Sequence, residues 1–207
     1  RISSLEPREI TSEILELLAN TENFMPHLHI PLQSGDDRIL KKMNRRYTVS
    51  DFTGIISECI KKMPEIAIGV DVLVGFPGES EEAFGHTVDL LESLPIAYLH
   101  VFPYSKRPST LAAGMDKQLP HKVKEERVRL LRELDHKKRT AFYGRFVGAT
   151  QKVLAETSTN RFRLMRGFTE NYIPVYFQAP ESVKNQVVKV KIERLVDRSV
   201  FGALCAE

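Results

Sequence analysis

Residues 27–48, HLHIPLQSGDDRILKKMNRRYT, pass from an apolar run into a polar loop around Gly35 and then into a basic helical stretch. A buried strand that ends this way sets Gln33, Ser34 and the backbone of Gly35 at its carboxyl end. That is the end at which parallel α/β sheets bind their ligands. The design recurs at VDVLVGFPGES (70–80) and at YLHVFPYSKRPST (98–110). Three strand ends carrying polar and glycine residues predict one shared site.

The segments between these strands read as helices. Pro7 opens a helical stretch in which Ile10, Ile14, Leu17 and Leu18 form the apolar face. Leu40 and Met43 share a face of the basic helix 38–43, and Ser50 is the expected N-cap of a helix over 51–63. The run 66–74 is apolar and β-branched enough for a strand buried on both faces. Helix 80–93, with Phe84, Val88 and Leu91 in register, leads to a strand over 97–102, and a long helix spans 120–143. Such alternation predicts an α/β fold of right-handed parallel βα units. From Gly148 the pattern changes to five short alternating runs, QKVLAET, RFRLMRG, NYIPVYFQ, VVKVKIERLV and SVFGALCA. These predict a small all-β, OB-like barrel. The expected division is therefore 1–144 and 145–207.

A hydrophobic fraction of 42% over 207 residues suits an ordinary globular protein. The longest apolar runs are far too short for a bilayer, and no signal-peptide pattern opens the chain, so the expected location is cytoplasmic, without a membrane partner. The two cysteines, Cys59 and Cys205, lie far apart and read as unpaired thiols. The net charge of +3 is unevenly spread. HKVKEERVRLLRELDHKKRT (121–140) holds eight Lys or Arg against four acids. Either a solvated helix face or a nucleic-acid contact explains it.

Several residues carry chemistry. Asp71 sits inside the strand IGVDVLVGF, where a carboxylate needs a partner or a ligand. GFPGES supplies a tight turn and free helix-terminal amides, but it lacks the Lys–Ser/Thr ending of a P-loop, and Glu79 would repel phosphate there. His27 and His29 alternate on one strand and share a face. They are hydrogen-bonded core residues or, with Asp71, ligands of a divalent metal in a hydrolase. Arg45 and Arg46 are solvated or clamp an anionic group at the nearby strand end. In the barrel, Arg161, Arg163, Arg166, Lys189 and Lys191 are interleaved with Phe162 and Phe168, a pattern suited to RNA.

Taken together, SSLEP, HLHIPLQSGDDRILKKMNRRYT, VDVLVGFPGESEEAF, HVFPYSKRPST and ENYIPVYF resemble the radical S-adenosylmethionine methylthiotransferases across essentially the whole chain. The wording is most like the subfamily that methylthiolates C2 of N6-threonylcarbamoyladenosine in tRNA. Subfamilies acting on isopentenyladenosine tRNA and on a ribosomal protein are close relatives. The resemblance implies a partial parallel (βα) barrel of the radical type followed by an RNA-binding TRAM barrel, with tRNA as partner. It also implies S-adenosylmethionine and 4Fe-4S clusters as cofactors of the full-length enzyme. Ser4, Glu6, Gln33, Ser34 and Tyr104 are then expected to line the cofactor pocket. Arg45 is expected to hold the methionyl carboxylate, and Asp71 and Gly75 to lie on the strand that passes the adenine.

One departure matters. The family's Cys-x-x-x-Cys-x-x-Cys motif is absent, and a cubane cluster needs several thiolates held together. The expectation is therefore a carboxyl-terminal portion of a longer enzyme, lacking its amino-terminal domains, binding no cluster or other metal and inactive alone. The alternative from another class is a stand-alone RNA-binding protein on an α/β scaffold.

Overall fold

The structure, a computed structural model, describes residues 1–3, 5–159 and 164–205. Its first part is built from α1 (Ser12–Ala19), β1 (His27–Gln33), α2 (Asp37–Lys42), α3 (Val49–Lys62), β2 (Ala67–Val74), α4 (Glu81–Ser93), β3 (Tyr98–Pro103), α5 (Leu111–Gly114) and α6 (His121–Gly144). Helices start where a short polar side chain can accept otherwise orphaned amides. Thr11 accepts from the Ile14 amide, Asp36 from Arg38 and Ile39, and Ser80 from Ala83. For α3 the cap is Thr48, not Ser50, because Asp51 completes a reciprocal capping box with it.

The face expected for α1 is also corrected. A 3₁₀ turn at Pro7–Glu9 separates Ile10 from the helix and resets its phase. Leu15 is then fully buried while Leu17 is 66% exposed. Among the described residues, the strand-like opening contributes a bridge between Ile2 and Leu28.

β1, β2 and β3 form a parallel sheet in that spatial order. Alternation sends Leu28, Ile30, Leu32, Ile68, Val70, Val72, Val74 and Leu99 to one face. There they meet Leu15, Phe52, Ile56, Leu91 and Leu131 of the helices. β2 was expected to be buried on both faces, but Asp71 and Leu73 are only half-buried. They lie on the second face, with His27, His29, Tyr98 and His100, and that face opens into clefts.

The second part comprises β4 (Thr150–Thr159), β5 (Leu164–Thr169), β6 (Pro174–Gln178), β7 (Val187–Val196) and β8 (Ser199–Leu204). They close a five-stranded barrel in the order β4-β5-β6-β8-β7, parallel only between β6 and β8. Its interior holds Val153, Met165, Phe177, Val190, Ile192 and Val200. The same apolar cluster continues into Tyr98, Phe142, Tyr143 and Phe146. Polar contacts add to this junction: Asn171 Nδ2 donates to the Glu65 carbonyl at 3.2 Å, and Arg145 Nη2 to Pro64 at 2.7 Å. Among the described residues, no helix is long and apolar enough to cross a membrane.

Candidate functional site

The three strands deliver their carboxyl ends to one cleft of about 580 Å³. Gln33 closes β1 with φ at +67°, after a register break between Pro31 and Gln33. A side-chain-bearing residue is held there against its preference, as recurs at ligand sites. Leu73 and Phe76 form the apolar floor, and Tyr104 stands beyond the end of β3 with its ring edge-on to Phe76 at 5.5 Å. The Tyr104 hydroxyl is buried and has no hydrogen-bond partner among the described residues. Arg45 reaches the rim, where Nη1 lies 2.8 Å from Glu6 Oε1. The cleft therefore offers an apolar floor, a tyrosine side chain, an amide and a guanidinium, which suits a partly apolar ligand bearing a carboxylate.

The remaining expected pocket residues take different places. Ser4 lies outside the described residues. Ser34 is fully buried and its hydroxyl accepts the Asp36 amide, so it shapes the loop. Gly35 seats that loop on α4: its amide donates to Thr87 Oγ1, and an added Cβ would sit 2.6 Å from Thr87 Cα. Gly75 turns the chain at φ +77° and donates its amide to Glu79 at 2.6 Å. Arg46 is exposed.

Glu79 corrects the reading of GFPGES. Its side chain is buried and meets Arg127 Nη1 at 2.5 Å, so it is not presented to a ligand. Burial raises its pKa, and the Gly75 amide and Arg127 partly offset this. The basic run in α6 is thus neither simply solvated nor wholly free for nucleic acid. Lys124 Nζ donates to the Tyr104 carbonyl at 3.1 Å, Lys138 Nζ to Leu94 at 2.7 Å, and Arg139 pairs with Asp135. Asp135 in turn accepts the Leu99 amide at 2.7 Å.

Deeper on the open face, His27 Nε2 is 2.8 Å from the Tyr98 hydroxyl, and both His27 and His29 lie near-parallel to the Tyr98 ring. Burial, with Arg1 nearby, lowers the His27 pKa to about 4, so the ring is neutral at pH 7. Asp71 does not meet His27. It lies 3.0 Å from His29 Nε2 and 3.5 Å from His100 Nδ1. His100 was missed in the sequence because its placement depends on the register of β3 against β2, where it faces Asp71.

On the barrel, Arg161 and Arg163 lie outside the described residues. Arg166 is turned inward, its guanidinium 5.0 Å from the Phe168 ring, in a cleft shared with Tyr98 and Arg139. Lys189 and Lys191 are exposed on β7, and Lys189 directly faces Lys152 of β4. Glu170 compensates part of this like-charge pair, 3.5 Å from Lys152 Nζ, while Lys189 and Lys191 stay exposed toward solvent. Arg194 over the Phe201 ring extends the surface. A second cleft of about 850 Å³ runs from Tyr104 past Lys106, Arg129 and Arg132 to Arg198 of the barrel.

Neither cysteine suits an iron–sulfur cluster. Cys59 is in the core of the α/β part with its thiol pKa pushed up to about 12 by burial, and Cys205 lies past the end of β8, its amide bonded to Lys189.

Residues 3–91 match the model of the Radical SAM superfamily. The chain is 41% identical over 192 residues to the threonylcarbamoyladenosine tRNA methylthiotransferase MtaB of Aquifex aeolicus, covering 93% of this chain and 45% of that protein. It is 40% identical over 187 residues to the tRNA-2-methylthio-N(6)-dimethylallyladenosine synthase of Thermobifida fusca, covering 88% and 38%. The chain thus spans less than half the length of these relatives. Among solved structures, it is similar to coproporphyrinogen III oxidase (HemN) from Escherichia coli, a radical SAM enzyme, with a TM-score of 0.51 at 22% identity, covering 70% of this chain and 32% of that one. This last likeness speaks to the fold.

Proposed function

We propose, from the premise that this chain belongs to the Radical SAM superfamily and groups with its tRNA methylthiotransferases, that it forms the cofactor-cleft wall and the tRNA-binding part of such an enzyme. The carrying observation is the cleft at the three strand ends. Tyr104, whose buried hydroxyl has no hydrogen-bond partner among the described residues, lines it together with Gln33 and Arg45. S-adenosylmethionine fits this donor set: its carboxylate matches the Arg45 guanidinium, and its adenine and thioether parts match the Leu73–Phe76 floor. Glu6 tethers Arg45 at the rim. Given one electron from a 4Fe-4S cluster, which the residues here would not hold, the bound cofactor would supply radical chemistry at an unactivated adenine carbon. The two cysteines here do not fit a cluster, so this chain's part is binding and orientation, and alone it is inactive.

The small barrel acts as the TRAM module and meets tRNA through Lys152, Lys189, Lys191 and Arg194. The cleft bearing Arg129, Arg132 and Arg198 joins that surface to the cofactor end. N6-threonylcarbamoyladenosine is the nucleotide of the relatives at 41% and 38% identity and N6-dimethylallyladenosine that of the relative at 40%, so the reading takes the first as substrate with the second as its alternative. The site of action is the cytoplasm, where such tRNA is processed.

Calorimetric titration of S-adenosylmethionine into the chain tests the cleft. Saturable binding is expected, weakened at least about tenfold by Gln33→Ala or Arg45→Ala through loss of charge-assisted contacts. Equal affinity in both variants would place the cofactor elsewhere.

A further inference from the structure

The open sheet face carries a cluster that the cofactor cleft does not use. His29 of β1, Asp71 of β2 and His100 of β3 stand on three neighbouring strands, and their ligating atoms all lie within 4.8 Å of one another. Asp71 Oδ1 is 3.0 Å from His29 Nε2 and 3.5 Å from His100 Nδ1. Ligands about 2.0–2.1 Å from one divalent ion stand about 3.0–3.5 Å apart in octahedral or tetrahedral sites. Both contacts to Asp71 fall at those separations.

A plain hydrogen-bonded arrangement accounts poorly for the same atoms. His29 Nε2 is buried and makes no hydrogen bond, although the carboxylate oxygen is 3.0 Å away. The ring N–H direction is therefore not aligned with that oxygen, although the two atoms are in contact. The rings are also fixed in position. His29 lies near-parallel to Tyr98 with centroids 6.2 Å apart, and His100 sits edge-on to His29 at 4.9 Å and to Phe102 at 6.4 Å. Donors held on strands and locked by neighbours are a preorganised set.

We propose that His29, Asp71 and His100 bind one divalent first-row transition cation, such as Zn²⁺ or Fe²⁺. Two imidazoles and one carboxylate are the donor set these ions accept while keeping coordination positions open. The open side faces a cleft of about 350 Å³ lined by Arg1, His27, Tyr98 and Tyr172, besides His29 and His100 themselves. An oxygen ligand entering that cleft would complete the shell. The site lies below the cofactor cleft, since Asp71 is three residues before the end of β2 and His100 three before the end of β3. It is independent of the assignment of the upper cleft.

Cobalt titration of the metal-stripped chain, followed by visible ligand-field absorption and calorimetry, tests the proposal. The expected result is one equivalent of Co²⁺ with visible bands, displaced by Zn²⁺. His100→Ala and Asp71→Asn should each weaken binding at least about tenfold, while His121→Ala and His136→Ala leave it unchanged. The His100 side chain is 47% exposed, so its removal should leave the far-UV circular dichroism intact and separate lost binding from lost fold. Absence of Co²⁺ binding, affinity retained in His100→Ala, or thiolate-to-metal charge-transfer bands from Cys59 or Cys205 would overturn it.

Discussion

Arg127→Met is the most informative perturbation of this fold. The Arg127 side chain is 3% exposed and the Glu79 side chain 1%. Arg127 Nη1 meets Glu79 Oε2 at 2.5 Å and the Glu79 carbonyl at 3.2 Å, Nη2 meets Glu81 Oε1 at 2.6 Å, and the guanidinium lies over Phe84. Methionine restores most of the apolar stem but leaves a carboxylate in the core with only the Gly75 amide. Breaking one partner of such a pair costs about 3–5 kcal/mol, whereas replacing both costs much less. Arg127→Met should therefore lose about that much stability, and Glu79→Gln/Arg127→Met should recover about 2 kcal/mol or more of it. The chain has no tryptophan, so urea unfolding followed by far-UV circular dichroism is the suitable assay. The pH dependence has a defined sign. Burial already raises the Glu79 pKa above its unfolded value, and losing Arg127 raises it further. The folded variant then holds a proton that the unfolded chain has released, so its stability should rise as pH falls from 7 toward 5. A single variant within about 1 kcal/mol of the parent, or a double variant no more stable than the single, would refute the reasoning.

Gly35→Ala places a methyl 2.6 Å from Thr87 Cα and should cost about 1–3 kcal/mol, read as a lowered thermal midpoint. Burial would raise the pKa of Asp36, but hydrogen bonds from Arg38, His86 and the Ile39 amide hold it at about 2. Its depressed value contributes stability above the unfolded carboxylate pKa of about 4, lost as pH falls toward 2, and Asp36→Asn should flatten that acid limb in thermal melts. Lys189→Ala and Lys191→Ala should each weaken tRNA binding and reduce the slope of log affinity against log salt by about 1, measured by filter binding. Unchanged slopes would move the RNA surface away from β7.

The parts legible in the sequence are those in which neighbours along the chain are neighbours in space. HLHIPLQSGDD could be read as a strand ending at a ligand because strand, loop and helix cap are contiguous, and Gln33 and Tyr104 do line one cleft. The alternation Leu28, Ile30, Leu32 against His27 and His29 likewise separates the two faces of β1 without reference to any other strand. What the sequence hides is pairing across space. Nothing local joins Arg127 to Glu79, 48 residues away, and without its partner Glu79 read as a charge aimed at a ligand. His100 joined His29 and Asp71 only when the register of β3 was known.

The basic run of α6 shows why charge counts alone mislead. Lys124 and Arg127 look on paper like material for nucleic acid, yet one holds the Tyr104 carbonyl and the other holds Glu79. Both contacts lie in the loops that follow β3 and β2, which end at the cleft of Gln33, Leu73 and Tyr104. Lys138, farther along the helix, instead grips the carbonyls of Glu92 and Leu94 at the opposite end of the sheet. A helix tied in this way at both ends of the strands holds the loops that carry Glu79 and Tyr104. Arg129 and Arg132 instead point outward and share a cleft with Arg198 of the barrel, Arg129 Nη1 pairing with Glu133 at 2.7 Å. The charge run thus divides by helix face, with one set of cations holding the loops at the strand ends and the other lining the cleft shared with Arg198.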